Sequence, residues 1–315
     1  MNLTIAVAIG FVVSGCGDVV NHLADAPPVD DSKPIDGSSI DAPPPRCDPA
    51  KAFGSPVSIT ELNSVGDDSG LALSGDELTA VFASSRAGGV GGSDLYVSQR
   101  ATRTAPWGAP SLLAGVNTTA QEGRPSLSAD GLTLYAEFLL NANSTYDIVR
   151  ATRASTANAF GAHAVVAGLN GAANDSQPWV LPDNSAVYFS STRGVNGDAD
   201  LYVASGAAGS FGAPTLVTGT SLQTTGTEGY PVVTQDQLNL YFRSDRPGGG
   251  GFDIWFATRT SVAAGFGAPV NVSLLNTGVA ESPTWVSADN CVLYFMRNIG
   301  TVASNTDLYV TTKPL

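Results

Sequence analysis

The sequence predicts an all-β protein, and specifically a five-bladed β-propeller built from four-stranded blades. A skeleton of roughly 50 residues recurs five times along the chain, which is the period of a propeller blade. The apolar runs are short, rich in β-branched and aromatic residues, and bounded by Asp-Gly, Asp-Asn or glycine-rich turns, as strands and hairpins are. No segment keeps the 3.6-residue apolar periodicity of a helix. Each blade is therefore expected to be a meander of four antiparallel strands.

Every repeat carries the same acidic markers at nearly fixed spacing. An acid begins the repeat, a turn Asp follows eight residues later, and a third acid opens the third strand 17 or 18 residues after the turn. The leading acids are Asp68, Glu122, Asp175, Glu228 and Glu281, and the turn residues are Asp76, Asp130, Asp183, Asp236 and Asp289. The strand-opening residues are Asp94, Asp147, Asp200, Asp253 and Asp307. Side chains present in every blade are expected to build the blades, with the turn Asp accepting bonds from its own turn.

The number of blades follows from where the repeat starts and stops. A Phe-Gly or Trp-Gly pair precedes each outer strand, and the first pair, Phe53-Gly54, comes before any inner strand. The last repeat ends after its third strand. The N-terminal strand, at about 56–62, is thus predicted to complete the last blade, which closes a ring of five and removes its free edges.

The cysteines agree with this closure. Cys47 lies just before the closing strand, and Cys291 begins the second strand of the last blade. In an oxidising compartment the two are expected to form a disulfide, the alternative being two unpaired buried thiols.

The N-terminal region predicts a signal peptide and a lipid-anchored stalk. Residues 1–15 form an apolar run too short to span a bilayer as a mature helix. The run ends in Val13-Ser14-Gly15-Cys16, which resembles the lipobox of bacterial lipoproteins, although its first four residues lack the usual Lys or Arg. The resemblance implies lipidation of Cys16, with Gly17 favouring the outer over the inner membrane; the alternatives are an uncleaved anchor or a chance cysteine. Residues 16–46, rich in Asp and Pro, are expected to be a disordered stalk, followed by the propeller over 47–315.

The repeat itself resembles a known family. Glu-x-x-Pro-x-x-Ser-x-Asp-Gly at 122–131, followed by Leu134-Tyr135 and later Asp147-Ile148, is similar to the WD40-like repeat of TolB-type propellers. The resemblance covers 53–315 and implies a periplasmic docking platform. The chain departs from TolB in lacking an additional N-terminal α/β domain and in having five blades rather than six, so TolB's partners are not carried over.

Net charge limits the classes of partner. The chain carries a formal charge of −13, which argues against nucleic acid, because phosphate binding depends on Lys and Arg. It also disfavours electrostatic adhesion to an anionic membrane. The expected partners are an envelope protein, peptide or glycan, with the membrane reached only through the lipid. We expect a monomer in the bacterial cell envelope, facing the periplasm or the surface.

The five leading acids allow two interpretations. They begin the innermost strands and are expected to gather toward one mouth of the channel. They can bond the surrounding loops as structural groups, or they can converge on a hard cation such as Ca²⁺. None lies in a calcium-loop motif, so the structural interpretation is favoured and no metal or other cofactor is predicted.

Positions that differ between blades are better candidates for ligand binding. Six residues before the turn Asp, blades two and four carry Arg124 and Tyr230; four residues before it, blades three and five carry Trp179 and Trp285. Strand alternation places these positions on one face. They are expected to line a pocket for a sugar or peptide, the alternative being ordinary packing between blades.

Catalysis finds little support in the sequence. The propeller region has one histidine, His163, with no nucleophile elbow and no Cys-x-x-Cys pair. No catalytic residue is predicted, and a binding module is favoured over an enzyme. The alternative is a glycoside hydrolase, which needs two carboxylates in different environments; Glu137 is the one acid in a second strand without counterparts in the other blades.

Overall fold

The computed structural model describes residues 45–140, 145–194, 197–207, 209–300 and 305–315. In these ranges all regular secondary structure is β-strand. The described residues include no helix of the length and apolarity that a membrane crossing needs. The predicted signal peptide, the lipidation of Cys16 and nearly all of the predicted stalk lie outside the described residues.

Five antiparallel sheets form the five blades, which confirms the predicted propeller. In each blade the strands run from an inner strand a, at the channel, to an outer strand d. Blade one comprises β2 (Asp68–Leu73), β3 (Thr79–Ser84), β4 (Asp94–Gln99) and β5 (Ser111–Leu112). Blade two comprises β6 (Glu122–Leu127), β7 (Thr133–Phe138), β8 (Asp147–Thr152) and β9 (Ala164–Val165). Blade three comprises β10 (Asp175–Val180), β11 (Ala186–Ser191), β12 (Asp200–Ala207) and β14 (Thr215–Leu216), with β13 (Ser210–Phe211) as an extra hairpin strand on β12. Blade four comprises β15 (Glu228–Val233), β16 (Asn239–Ser244), β17 (Asp253–Thr258) and β18 (Val270–Asn271).

The last blade is closed by the N-terminus, as predicted. It comprises β19 (Glu281–Val286), β20 (Val292–Asn298), β21 (Thr306–Thr312) and the closing strand β1 (Val57–Ser58). Val57 pairs with Val310, and the Ile59 N–H donates to the Leu308 carbonyl. The paired segment is shorter than the predicted strand at 56–62, but it has the two-residue length of the other outer strands.

The predicted disulfide is present, and it links the segment before the closing strand covalently to the last blade. Cys47 and Cys291 are bonded across 244 residues of chain, with Cα atoms 5.7 Å apart. Beside them Arg46 bonds Asp289 of blade five at 2.6 Å and Glu77 of blade one at 2.8 Å. The same segment therefore joins the last blade to the first through a covalent bond and two ion pairs. The disulfide also indicates an extracytoplasmic protein.

The turn Asp residues act as the sequence predicts. Asp76 Oδ1 accepts the Leu78 N–H at 2.9 Å and the Ser74 hydroxyl at 2.6 Å. The next residue, Glu77, has a left-handed φ of 65°, and glycine or asparagine takes that position in blades two, three and five. This local chemistry fixes the a–b turn of each blade, and with it the register of the two inner strands.

An amide side chain secures each outer strand. Asn117 Oδ1 accepts the Leu95 N–H at 2.8 Å, and its Nδ2 donates to the Leu95 carbonyl at 2.9 Å. This pair of hydrogen bonds to the N–H and the carbonyl of one residue is here called a bracket. Equivalent brackets are made by Asn63, Asn170, Gln223 and Asn276. Asn63 makes its bracket to Leu308, so the closing segment occupies the place of an outer strand in full.

Candidate functional site

The ring has two faces, which differ in the loops they carry. One face, here called the b–c face, holds the loops between strands b and c and the beginnings of the inner strands. The opposite a–b face holds the a–b turns. A pocket of about 20 Å³ near the axis is lined in part by Arg124, Gln177 and Tyr230, which is room for about one water molecule.

A bulge interrupts every inner strand and re-aims its third residue. Pairing between strands a and b shifts register after the second residue in blades one to four and after the third in blade five. Arg124, Gln177 and Tyr230 have left-handed φ values of 45°, 56° and 53°, where blade one has Gly70 and blade five has Pro283. Left-handed backbone is costly for side chains of this size and is concentrated at functional sites. The bulge also makes the predicted simple alternation of the inner strands wrong.

Four side chains from three blades form a closed network at the b–c mouth. Arg124 Nη1 lies 3.2 Å from Glu137 Oε1, and the Gln177 N–H donates to Glu137 Oε2 at 2.9 Å. The Tyr230 N–H donates to Gln177 Oε1 at 2.8 Å, and Arg124 Nη2 donates to the Tyr230 hydroxyl at 2.6 Å. Glu137 and Gln177 thus satisfy the backbone N–H groups that the bulges expose. Arg124 reaches from blade two across to blade four and is fixed at both ends.

The environment of Arg124 keeps it charged. Burial lowers the pKa of Arg124, but Tyr230 and Glu137 more than offset this, so its pKa is raised overall. Its side chain remains 29% exposed, whereas that of Glu137 is 4% exposed. The cation is therefore the accessible member of the pair.

Arg243 completes the group, which we call the mouth cluster: Arg124, Glu137, Gln177, Tyr230 and Arg243. Its guanidinium carbon lies 3.7 Å from the centre of the Phe252 ring and 5.0 Å from that of Tyr230. Arg243 is half-buried, and its guanidinium makes no hydrogen bond or ion pair with any residue that the structure describes. Burial lowers the pKa of its guanidinium, which nevertheless stays charged, as arginine does in proteins.

The leading acids lie outside this mouth. All five are at most 1% exposed, and each bonds within its own blade. Arg86, Arg193, Arg246 and Arg297 pair with Asp68, Asp175, Glu228 and Glu281 at 2.7, 2.5, 3.2 and 2.9 Å. Among the described residues no group of three or more acidic, histidine or cysteine side chains is arranged to hold a metal ion. The acids thus hold the b–c loops rather than facing one another.

Glu122 is the exception among them. In blade two the Arg position is taken by Leu140, and among the described residues the Glu122 side chain has only the N–H and hydroxyl of Thr118 as donors. Its Oε2 is buried and meets no donor in the part of the chain that the structure describes, and burial raises the pKa of Glu122. Phe138 is the strand-b residue that pairs with Glu122, and the centre of its ring lies 4.4 Å from that of His163.

The two candidate tryptophans lie deeper along the axis. Trp179 is 5% exposed and donates its Nε1 hydrogen to the Val233 carbonyl at 2.9 Å. Trp285 is 8% exposed and packs edge-on against Tyr294. Both line a 230 Å³ cavity at the a–b mouth, together with Arg46. Of the four candidates, the structure brings Arg124 and Tyr230 together, and it places Trp285 toward the opposite mouth.

Arg243 and Gln177 were not among the predicted binding residues. The fifth residue of strand b is Ala83, Glu137, Ser190, Arg243 and Met296 in successive blades. Comparing this position across blades identifies Arg243 as readily as Glu137. The role of Gln177 depends on the bulge, for which a polar residue gives no clear signal.

Comparisons with known proteins identify the fold. No protein-family model matches the sequence, and no curated protein matches it. TolB from Acinetobacter baumannii has a TM-score of 0.52 at 15% identity, covering 81% of this chain and 56% of that one. A putative TolB from Agrobacterium tumefaciens has 0.51 at 14%, covering 82% and 84%. A GH43_1 enzyme from Xanthomonas citri has 0.57 at 14%, covering 81% and 90%. Identities this low show a shared propeller fold alone, and this chain spans little more than half the length of the Acinetobacter TolB.

Proposed function

We propose that this chain is an extracytoplasmic binding protein that recognises an envelope protein, peptide or glycan at the b–c mouth. The observation that carries the proposal is the mouth cluster. Its residues break the fivefold repeat, three of them have left-handed backbone, and their hydrogen bonds fix one another in place. Side chains held in this way lose little freedom when a ligand binds. The leading acids, by contrast, are buried and form hydrogen bonds or ion pairs within their own blades.

The proposal includes the cell-envelope tether inferred from the sequence. Cys16 receives the lipid, residues 16–46 form the stalk, and the propeller is held at the outer membrane as a monomer. The Cys47–Cys291 disulfide supports an oxidising compartment. Incorporation of labelled fatty acid that persists in a Cys16→Ser variant would refute the anchor without touching the binding site.

A pull-down from the organism's own envelope tests the binding proposal. The bait is the wild-type chain, Tyr230→Ala, or Val270→Ser, the last changing an exposed residue on the outer strand of blade four. We expect one saturable partner to be retained by the wild type and Val270→Ser and lost by Tyr230→Ala. Equal capture by all three would remove the b–c mouth from consideration.

Glycoside hydrolysis is the second candidate, because a GH43_1 enzyme shares the fold and Glu137 lies at the b–c mouth. Such hydrolysis needs an acid and a second carboxylate, either as nucleophile or as base. Glu137 is held by Arg124 and by the Gln177 backbone N–H, and it is the only carboxylate of the mouth cluster, so the cluster lacks the second acid. Release of sugar from any glycoside by the wild type, abolished in Glu137→Gln while the fold is retained, would favour the enzyme over the binding protein.

A further inference from the structure

The mouth cluster contains hydrogen-bond donors with no protein acceptor. Arg243 offers five N–H groups, and none of them meets an acceptor among the described residues. The Tyr230 hydroxyl accepts from Arg124 Nη2 at 2.6 Å and from Arg124 Nε at 3.1 Å. Its own hydrogen likewise finds no acceptor in the described part of the chain. Both sets of donors belong to one cluster, since Arg243 stacks on the Tyr230 ring at 5.0 Å.

The charges around these donors favour an anion of low charge. Glu137 neutralises Arg124, so Arg243 supplies the unbalanced positive charge of the cluster. Asp67 lies within electrostatic range of Arg124, and Asp245 lies within electrostatic range of Arg243. Each of these acids is engaged by a backbone N–H, from Thr306 and Thr227 respectively. Neighbouring acids would repel a phosphate or sulfate group more strongly than a single carboxylate.

Four aromatic rings near the axis, those of Tyr230, Phe252, Trp179 and Trp285, are unsuited to stacking against a sugar. Guanidinium groups of Arg243 and Arg124 lie 5.0 and 5.3 Å from the centre of the Tyr230 ring, and Arg243 also covers Phe252. Trp179 and Trp285 are almost fully buried. At these four rings a glycan lacks the free aromatic face on which sugars commonly pack, whereas a carboxylate needs only the donors.

We propose that the b–c mouth binds a peptide through one carboxylate, which accepts hydrogen bonds from the Arg243 guanidinium and the Tyr230 hydroxyl. This rests on the proposed function, because it names the ligand of the same mouth. Arginine binds carboxylates bidentately through two parallel N–H groups. Arg124, Glu137 and Gln177 position Tyr230, and Phe252 positions Arg243. The carboxylate is either a peptide C-terminus or an acidic side chain.

Three pools of N-acetylated hexapeptides test this with the chain lacking residues 1–16, which retains every described residue. The first pool has neutral side chains and free C-termini, the second is the same pool amidated, and the third is amidated with one Asp. We expect the first or third pool to bind at least about tenfold more tightly than the second. The tighter pool identifies the source of the carboxylate. Equal binding of all three pools, or binding of an oligouronide in place of every peptide, overturns the proposal.

Two variants and one control assign the binding to Arg243. Arg243→Gln is expected to lower affinity for the preferred pool about tenfold or more, and Arg243→Lys to recover part of it. Arg103→Gln removes the same charge from a side chain that is 53% exposed on the a–b face, and should bind as the wild type does. Unchanged unfolding midpoints would show that each variant is folded.

The outcomes separate this inference from the proposed function. Wild-type affinity in Arg243→Gln, together with an envelope partner that still requires Tyr230, refutes the carboxylate and leaves the binding function standing. Absence of any partner that depends on Tyr230 refutes the binding function itself. Peptide binding that depends on the carboxylate and is lost in Arg243→Gln supports both.

Discussion

Removing the Cys47–Cys291 disulfide should cost this propeller a large part of its stability. The bond closes a loop of 244 residues, so the chain-entropy relation gives a stabilisation of about 5.5 kcal/mol, mostly by restricting the unfolded chain. Measured effects often fall below this relation, and the β1–β21 pairing holds the native ring in either case. We therefore expect the Cys47→Ala/Cys291→Ala variant to lose about 3–5 kcal/mol in free energy of unfolding.

Guanidinium chloride unfolding followed by tryptophan fluorescence measures this loss. Reduction of the wild type should reproduce the variant, and reductant added to the variant should change nothing further. A loss below about 1 kcal/mol would refute the reasoning. It would mean that the unfolded ensemble already keeps the ends of the chain together, or that the disulfide strains the native ring.

Three further changes test the blade-building contacts. Glu122→Gln should raise the free energy of unfolding by about 1 kcal/mol at neutral pH. Burial raises the pKa of Glu122, so the folded state binds the carboxyl proton more tightly than the unfolded state does. Ionisation of Glu122 as the pH rises therefore destabilises the fold. The gain should vanish in urea titrations below about pH 4.5, the ordinary pKa of glutamate, and a gain independent of pH would contradict the cause. Arg246→Met leaves Glu228 buried without its cation and should cost about 3–5 kcal/mol in the same titration, so a neutral result would show that the pair is dispensable. Asn117→Ala removes two hydrogen bonds to Leu95 and one to the Leu113 carbonyl and should cost about 3 kcal/mol at roughly 1 kcal/mol per bond. Faster amide exchange confined to blade one would show the outer strand fraying, and unchanged exchange there would count against the role of Asn117.

Much of the fold could be predicted from the sequence because the repeat is governed by local chemistry. A turn Asp bonds its own turn, and the Phe53-Gly54 pair, which precedes any inner strand, indicates which strand closes the ring. Asn63 and its counterparts each stand five residues before a leading acid. These contacts depend on residue type and separation alone.

The site was harder to predict, because it depends on the bulge in the inner strands, which no residue type in the sequence indicates. Arg124, Gln177 and Tyr230 have no intrinsic preference for left-handed backbone, so nothing local marks the bulge. Without it, alternation assigns the leading acids and the candidate binding residues to a single face. The bulge separates them, and it brings Arg243 of the neighbouring strand into the cluster through a stacking contact that spacing does not specify.

The position of Arg46 has a consequence for how the protein meets its ligand. Arg46 bonds Glu77 and Asp289 at the edge of the a–b mouth and lines the cavity there. A ligand at the a–b face would therefore meet a guanidinium that is already held by two carboxylates, whereas the mouth cluster at the opposite face keeps Arg243 available for a carboxylate.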